Sequence, residues 1–282
     1  MSDLIIYNGT LISRDELPLS HENRGMMYGD GFFDTLRSYS GRFLHLEEHF
    51  TRILKTAGYL GINVHFEFED FKFKLIELLE ASNLRETDAL VRVQCWRDGS
   101  RGYSTGSKEA NWVTSSELLS ISKDSISLSS VNTRAIPSKA LERKFKLSNG
   151  LNYIVAAREA TESGSDDALM YTIDDKVSET TISNIFWVKG NQVYTPSADC
   201  DLLPGITRNI IIGIVNESEG LDLLEGNFTK ENIMDSEAIF CTNSLREIRA
   251  VHLLDGKSFE TNHPILTTLK DSFSSYKLRE LK

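Results

Sequence analysis

Two turns in the second half of the chain carry residue types that bind anions. The segment from Leu203 to Arg208 contains a proline and a glycine and leads into the apolar run Ile210 to Val215, so it predicts the start of a helix. The first N–H groups of a helix lack partners within it and lie at the positive end of its dipole, which suits a phosphate. The turn Cys241 to Ser244 follows a predicted strand and offers further N–H and hydroxyl donors. Ordinary helix capping is the alternative, because most helix starts bind no ligand.

A polar loop with two arginines follows the predicted strand Ala89 to Trp96. The loop runs from Arg97 to Tyr103, and Arg101 lies within it. A loop of this composition binds a substrate in some proteins and is a solvated surface in others, and the sequence leaves both open. Arg92 lies on the strand itself, among apolar neighbours. A buried guanidinium needs a carboxylate partner, either from the protein or from a ligand.

The elements that position these residues alternate between strand and helix patterns. Apolar runs and alternation predict strands at Leu4 to Tyr7, Phe32 to Tyr39, Ala89 to Trp96, Ala168 to Ile173, Asn184 to Val188, Gln192 to Thr195 and Ala238 to Phe240. Apolar residues at helical spacing predict helices from Leu46 to Leu60, from Phe71 to about Asn83, from Leu151 to Gly164 and from the Gly205 turn onward. The pattern indicates a mixed α/β fold with mainly antiparallel strands in its second half.

The length indicates two domains. A single core seldom grows past about 250 to 300 residues, and the chain has 282. The Ser- and Lys-containing sequence from Ser120 to Ser130 has the composition of a domain boundary. We therefore predict domains at residues 1–123 and 124–282, with the break near Asp124.

The composition excludes several classes of protein. The 31 Lys and Arg residues against 41 Asp and Glu residues give a net charge of −10, whereas a nucleic-acid binder needs a basic surface. No apolar run approaches the roughly 20 residues that span a bilayer, and the first residues lack the layout of a signal peptide, so we expect a cytoplasmic protein without membrane contact. Three widely spaced cysteines, Cys95, Cys200 and Cys241, predict neither a disulfide framework nor a metal site.

Six segments occur in an order that is typical of one family. The first, Arg24 to Thr35, contains an Arg-Gly pair and the run Tyr-Gly-Asp-Gly. The others are His49 to Arg52, Lys146 to Asn149, Glu179 to Phe186, Thr195-Pro196 and Leu203 to Arg208. Together they resemble the pyridoxal-phosphate enzymes of fold type IV, which include branched-chain aminotransferases, D-amino acid transaminases and 4-amino-4-deoxychorismate lyases.

The resemblance implies two α/β domains with pyridoxal 5'-phosphate in the cleft between them, and usually a homodimer whose active site lies near the interface. It places the lysine that forms a Schiff base with the cofactor at Lys146, in the second domain, where this amine also moves a proton to and from the substrate. Lys144 is the competing residue, and Asn149 favours Lys146 because the family often has Asn three residues after the lysine. Glu179 matches the carboxylate that keeps the cofactor's ring nitrogen protonated.

The resemblance also implies ligands for the anionic groups of the cofactor and the substrate. The phosphate ligands it implies are Arg52, Ile206, Thr207, Asn243 and Ser244. The candidates for binding the substrate, some of them across a dimer interface, are Arg24, Tyr28, Thr35, Arg92, Arg97 and Arg101.

Two activities of the family fit this sequence. Arg92 and the turn from Leu203 to Arg208 resemble transaminases, whereas Thr35 and the loop Arg101-Gly102-Tyr103-Ser104 resemble the lyase that releases 4-aminobenzoate and pyruvate. We predict a transaminase that moves an amino group between a D-amino acid or branched-chain amino acid and an α-keto acid, with the lyase as the alternative. A homologue that binds the cofactor without turnover is a third hypothesis. Lys146 and Glu179 argue against it, because binding alone needs neither residue.

Overall fold

The computed structural model describes residues 3–120 and 123–282. Residues 1–2, and residues 121–122 beside the predicted domain boundary, lie outside the described residues. Contacts divide the chain into two compact units. Unit 1 contains residues up to Ser120, together with Phe145–Asn149 and Leu281, and unit 2 contains the remainder. The segment that carries Lys146 therefore packs with unit 1, whereas the division into functional domains at 1–123 and 124–282 stays a prediction.

Unit 1 contains an antiparallel sheet with two longer helices. Within residues 3–120 the elements are β1 (Leu4–Tyr7), β2 (Thr10–Ser13), α1 (Arg24–Tyr28), β3 (Gly31–Tyr39), β4 (Arg42–Phe43), α2 (Leu46–Leu60), α3 (Phe68–Ala81), β5 (Ala89–Arg97) and β6 (Ala110–Leu118), with a 3₁₀ turn at Arg14–Glu16. The strand order is β2-β1-β6-β5-β3-β4. The strands and helices predicted in this part of the chain are confirmed, with ends that differ by at most three residues. Strand β6 was not predicted from the sequence, because it is polar along much of its length.

Strand β3 and helix α2 bring polar side chains together in unit 1. In the register of β3 against β5, Thr35 lies opposite Arg92. Helix α2 buries Phe50 and Ile53, and its neighbouring face turns His49 and Arg52 towards Asp34 on β3. Residues three apart on a helix share a face, so one carboxylate can reach both side chains.

Unit 2 contains a mixed sheet. Over residues 123–282 its strands are β7 (Ser125–Ser130), β8 (Asp167–Tyr171), β9 (Val177–Thr180), β10 (Asn184–Lys189), β11 (Gln192–Pro196), β12 (Asp222–Gly226), β13 (Ala238–Asn243), β14 (Glu247–Leu254) and β15 (Lys257–Ser258). Its helices are α4 (Leu151–Glu162), α5 (Ile206–Glu217), α6 (Lys230–Met234) and α7 (Pro264–Glu280). The order is β12-β11-β10-β13-β14-β7-β8-β9, with β15 paired to β14.

Two elements of unit 2 differ from the interpretation of their sequence. The stretch Ser125–Ser130, which has the composition of a boundary, is strand β7 between β14 and β8, because Ile126 and Leu128 are buried in the core. Helix α4 has the predicted position, but Leu151 and Ile154 are 73% and 67% exposed. Small residues such as Ala156 form its buried face instead. No helix among the described residues is long and apolar enough to cross a membrane.

Candidate active site

A buried carboxylate organises the polar residues of unit 1. Asp34 is 1% exposed and accepts two hydrogen bonds from Arg52, one from Nε and one from Nη2, each 2.8 Å long. Nδ1 of His49 lies 2.9 Å from Oδ1 of the same carboxylate. Arg52 is therefore held by a bidentate ion pair, which fixes the plane of its guanidinium.

The charges of this cluster follow from burial and pairing. Burial alone would raise the pKa of Asp34, but the positive charge of Arg52, together with the smaller effect of the hydrogen-bonded His49, holds that pKa well below its usual range. Burial lowers the pKa of His49, Asp34 opposes this shift, and the charges of Arg52 and Lys146 add to it, so the pKa is lowered overall. The pKa of Arg52 is raised, because Asp34 outweighs the effect of burial. At neutral pH the cluster is thus an ion pair between Asp34 and Arg52 with a neutral histidine.

Lys146 lies beside this cluster. The N–H of Phe33 donates to the carbonyl of Lys146 at 3.1 Å, and the N–H of Ser148 donates to the carbonyl of Gly31 at 3.0 Å, so the segment is hydrogen-bonded along the start of β3. The Nζ atom of Lys146 lies 4.8 Å from the ring centroid of Phe33. Lys144, the competing lysine, is 59% exposed and forms an ion pair with Glu142 at 3.2 Å.

Arg92 lies over the same aromatic ring. Its guanidinium is 3.9 Å from the ring centroid of Phe33, and Nη1 makes a long hydrogen bond of 3.5 Å to Oγ1 of Thr35. Burial lowers the pKa of Arg92, and the negative charge of Asp34 opposes that shift. Within the part of the chain that the structure describes, no carboxylate pairs directly with Arg92. A half-buried cation of this kind suits an incoming carboxylate.

Arg24 and Arg97 are bonded to the protein itself. The Nε atoms of both arginines donate to Oδ2 of Asp30, at 2.8 and 3.0 Å. Arg24 also donates to the carbonyls of Ser100 and Gly102, which lie in the loop after β5. These contacts favour a loop-holding role for both residues, and their assignment as substrate ligands stays a prediction.

Tyr28 and Arg101 contribute differently to this loop. The hydroxyl of Tyr28 accepts a hydrogen bond of 3.0 Å from the N–H of Gly102, and its ring packs 5.4 Å from that of Tyr103. Arg101 is exposed. The structure therefore brings Arg52, Lys146, Thr35 and Arg92 together around β3, whereas Arg24, Tyr28 and Arg97 support the loop.

In unit 2, Glu179 is the centre of a second buried cluster. It is 6% exposed, and Oε1 accepts a hydrogen bond of 2.6 Å from the hydroxyl of Tyr153. Arg143 in turn donates through Nη2 to that hydroxyl. The other carboxylate oxygen accepts from the N–H of Leu203 at 3.1 Å and from Nδ2 of Asn184 at 3.4 Å. Without the resemblance, Glu179 would be expected on an exposed strand, but here it is buried and both of its carboxylate oxygens accept hydrogen bonds.

Asn184 connects Glu179 to the predicted anion-binding turn. Its Nδ2 donates to the carbonyl of Leu203 at 2.7 Å, and its Oδ1 accepts from the N–H of Gly205 at 3.2 Å. A Cβ at Gly205 would lie 2.3 Å from Oδ1 of Asn184, so the turn requires glycine there. Helix α5 begins directly afterwards, and Ile206 and Thr207 are buried in its first turn.

The second predicted turn lies next to Asn184 in the sheet. Asn184 pairs with Thr242 across β10 and β13. Asn243 donates through Nδ2 to Oγ of Ser183 at 2.8 Å, and its Oδ1 accepts from the N–H groups of Leu245 and Arg246. Ser244 is half-buried in the same turn. The fold thus brings both turns and Glu179 together within unit 2.

The comparisons with known proteins decide the family. Residues 31–254 match the family described as Amino-transferase class IV. The chain belongs to this family. Class IV aminotransferases depend on pyridoxal phosphate, and both clusters lie within the matched range.

Individual class IV relatives carry different names. The chain is 27% identical to a D-alanine aminotransferase of Bacillus licheniformis, with 96% of this chain and 97% of the relative covered. It is 29% identical to the aminodeoxychorismate lyase of Bacillus subtilis, with 87% and 84% covered. The crystal structure of a branched-chain aminotransferase from Thermoproteus uzoniensis with norvaline has a TM-score of 0.92 at 24% identity and covers 99% of this chain and 96% of that one. The last match confirms the predicted fold type IV.

Several buried or half-buried partners of the class IV site were not predicted as site residues. Asp34, His49, Asn184, Arg143 and Tyr153 bind or orient the predicted residues. Asp34 gives one signal in the sequence, because it is a charged residue at an inward position of a predicted strand. The pairing of Arg143 and Tyr153 with Glu179 has no local signal, since it depends on tertiary contacts.

Proposed function

We propose that the protein is a pyridoxal-phosphate-dependent aminotransferase that moves an amino group between an amino acid and an α-keto acid. The observation that carries this proposal is the position of two cationic side chains over the ring of Phe33, the amine of Lys146 and the guanidinium of Arg92. An amino acid substrate needs both an amine near its α-carbon and a cation for a carboxylate. When bound, the cofactor supplies an aldehyde for covalent attachment and a ring that accepts electrons from the substrate.

The polar groups around Glu179 and in the two turns of unit 2 fit this cofactor. Glu179 is a buried, hydrogen-bonded carboxylate, which suits a protonated ring nitrogen. The first N–H groups of α5, at Ile206 and Thr207, suit a phosphate, and the turn of Asn243 and Ser244 adds further donors. Two nitrogens of Arg143 and Oγ1 of Thr242 are buried without a hydrogen-bond partner among the described residues, so unit 2 has unused donors for anionic oxygens.

Each residue has a defined task in this proposal. Lys146 attaches the cofactor through Nζ and then moves a proton to and from the substrate α-carbon. Arg52, whose guanidinium is oriented by Asp34, is the proposed cationic ligand of the phosphate. Glu179 holds the proton on the ring nitrogen.

Arg92 is proposed to bind a substrate carboxylate. We expect Arg92→Met to raise KM for the amino and keto acids by about 10- to 100-fold, because a hydrogen-bonded ion pair to a carboxylate is lost. The effect on kcat should be smaller, since Arg92 does not move the proton. The matched control is Arg158→Met, which replaces an exposed arginine on α4 and should leave both constants unchanged. An unchanged KM in Arg92→Met would remove Arg92 from the substrate site.

The finer points of the proposal concern the substrate and the assembly. Relatives include a D-alanine aminotransferase, and a branched-chain aminotransferase shares the fold, so we propose a D-amino acid or a branched-chain amino acid as the donor.

We also propose a homodimer with the active site near the interface. Met26 and Tyr103, both in unit 1, are 79% and 94% exposed, and exposed apolar side chains of this size are typical of contact surfaces. The cytoplasmic location stays a prediction.

The second candidate function is that of a 4-amino-4-deoxychorismate lyase. The loop Arg101 to Ser104 favours it by resemblance, Tyr28 holds this loop at Gly102, and a lyase is 29% identical. The test is product analysis with the cofactor-loaded protein. Transfer of ¹⁵N from a labelled D-amino acid or branched-chain amino acid to an α-keto acid supports the aminotransferase. Release of 4-aminobenzoate from aminodeoxychorismate, without any transfer, supports the lyase instead.

A further inference from the structure

We propose that Tyr153 is a positioning residue that connects the buried Arg143 to Glu179 and thereby holds Glu179 ionised and fixed in direction. The inference rests on the proposed function, because it takes the ring nitrogen of pyridoxal phosphate as the partner of Glu179. Tyr153 acts through Glu179 and is not assigned any contact with the reacting atoms.

The three side chains form a chain of hydrogen bonds inside unit 2. The hydroxyl of Tyr153 donates to Oε1 of Glu179 at 2.6 Å, and Nη2 of Arg143 donates to the same hydroxyl oxygen. The guanidinium also lies 5.0 Å from the ring centroid of Tyr153. Arg143 is 4% exposed, so water screens these interactions little and each is stronger than it would be at the surface.

The direction of each hydrogen bond in this chain is fixed by chemistry. A guanidinium only donates and an ionised carboxylate only accepts, so the single hydroxyl proton of Tyr153 faces Glu179. Burial, followed by the charge of Glu179, raises the pKa of Tyr153 well above its ordinary value, and the hydroxyl therefore keeps its proton. Tyr153 is thus a fixed donor, polarised by the positive charge behind it.

The arrangement fixes both oxygens of Glu179. Oε1 is held by Tyr153, while Oε2 is held by Leu203 and Asn184. Loss of the Tyr153 hydroxyl would release one of the two oxygens and leave the carboxylate free to rotate. It would also remove the acceptor from Nη2 of Arg143.

The need to provide hydrogen-bond partners for Arg143 does not by itself explain this cluster. Its Nε and Nη1 are buried without hydrogen-bond partners among the described residues, and a guanidinium left in this state is unfavourable. Arg143 acts on Glu179 through Tyr153, because Nη2 donates to the same hydroxyl that donates to Oε1. A neutral hydroxyl beside this buried cation favours the ionised form of Glu179.

The test is the ¹⁵N chemical shift of pyridoxal phosphate labelled at the ring nitrogen and bound to the full-length protein. This shift distinguishes a protonated ring nitrogen from a neutral one and does not depend on turnover. We expect the wild type to show a protonated nitrogen and Tyr153→Phe to shift towards the neutral form, with about 10-fold weaker cofactor binding. Glu179→Gln provides the reference for a lost carboxylate. Tyr171→Phe is the matched control, because Tyr171 is also a tyrosine of unit 2 with a hydrogen-bonded hydroxyl, but its partner is Ser130. The spectrum of this variant should match that of the wild type.

The outcomes separate this inference from the proposed function. The role of Tyr153 is overturned if Tyr153→Phe has the same ¹⁵N chemical shift as the wild type while Glu179→Gln has the shift of a neutral ring nitrogen. That result leaves the proposed function intact. A wild-type protein that does not bind the cofactor, or a Glu179→Gln variant with an unchanged shift, overturns both. If Tyr153→Phe does not fold, Arg143→Gln is the second variant, because it removes the positive charge that polarises the Tyr153 hydroxyl. The ¹⁵N signal of Arg143→Gln should move in the same direction by a smaller amount, and an unchanged signal would overturn the proposal.

Discussion

Replacement of Lys146 by alanine is expected to lower amino-group transfer by more than about 10³-fold, because a methyl group can neither attach the cofactor nor move a proton. The variant should still fold. Lys146 contributes its backbone carbonyl to the hydrogen bond with Phe33, and the buried neighbour Leu147 is unchanged. The measurements are kcat, the visible absorbance of the lysine-bound cofactor, and borohydride reduction followed by peptide mass spectrometry, which identifies the modified lysine.

Lys144→Ala is the matched control for this substitution. Lys144 is exposed and paired with Glu142, and an exposed ion pair contributes little to stability or to a buried site. The Lys144→Ala variant should keep its rate of amino-group transfer within about a factor of two of the wild type. If Lys144→Ala loses the absorbance while Lys146→Ala keeps it, the two roles must be exchanged.

Replacement of Asp34 by asparagine is expected to destabilise the folded protein by about 3 to 5 kcal/mol, because it leaves the Arg52 guanidinium without its buried counter-charge. Asp34 and Arg52 are 1% and 13% exposed at the side chain, so water replaces little of the lost interaction. A loss of this size is a large part of the total stability of most proteins. The measurement is urea unfolding of Asp34→Asn and the wild type at neutral pH.

An exposed ion pair supplies the control for Asp34→Asn. Asp235 pairs with Lys189, and both side chains are more than half exposed, so Asp235→Asn should leave the free energy of unfolding nearly unchanged. Equal effects of the two substitutions would show that burial does not strengthen the Asp34 pair and would contradict the account of this cluster.

The same cluster determines how stability depends on pH. The pKa of His49 is lower in the folded protein than its ordinary value, so the unfolded chain binds the proton more readily, and stability falls as the pH drops below about 6.5. The pKa of Asp34 is also lowered, and its contribution is fully present above about pH 4 and is lost as the pH falls further. Asp34→Asn should lose the second component of this acid dependence.

The elements and the motif residues could be predicted from the sequence where the signal is local. Strand β1 and helix α2 have strong periodicity, and their bounds agree with the structure. The turn before α5 was predicted from Pro204 and Gly205, and Asn184 explains why glycine is required. The resemblance supplied Lys146 and Glu179, which lie in buried or half-buried clusters rather than at the surface.

Other features could not be predicted because they depend on tertiary pairing. Arg24 and Arg97 have the residue type of carboxylate ligands, but both are already paired with Asp30 of the protein itself. Helix α4 exposes Leu151, against the usual direction of apolar residues, since Ala156 and Ala160 allow closer packing on the other face. Strand β7 was interpreted as part of a boundary because its serines are polar, although all four residues from 126 to 129 are buried.

The most direct test of the central claim is transfer of ¹⁵N from a labelled amino acid to an α-keto acid by the cofactor-loaded protein, followed by mass spectrometry of the products. The account predicts transfer with at least one of D-alanine, D-glutamate and a branched-chain L-amino acid, and no transfer by Lys146→Ala. The absence of transfer with every donor, alongside release of 4-aminobenzoate from aminodeoxychorismate, would contradict it.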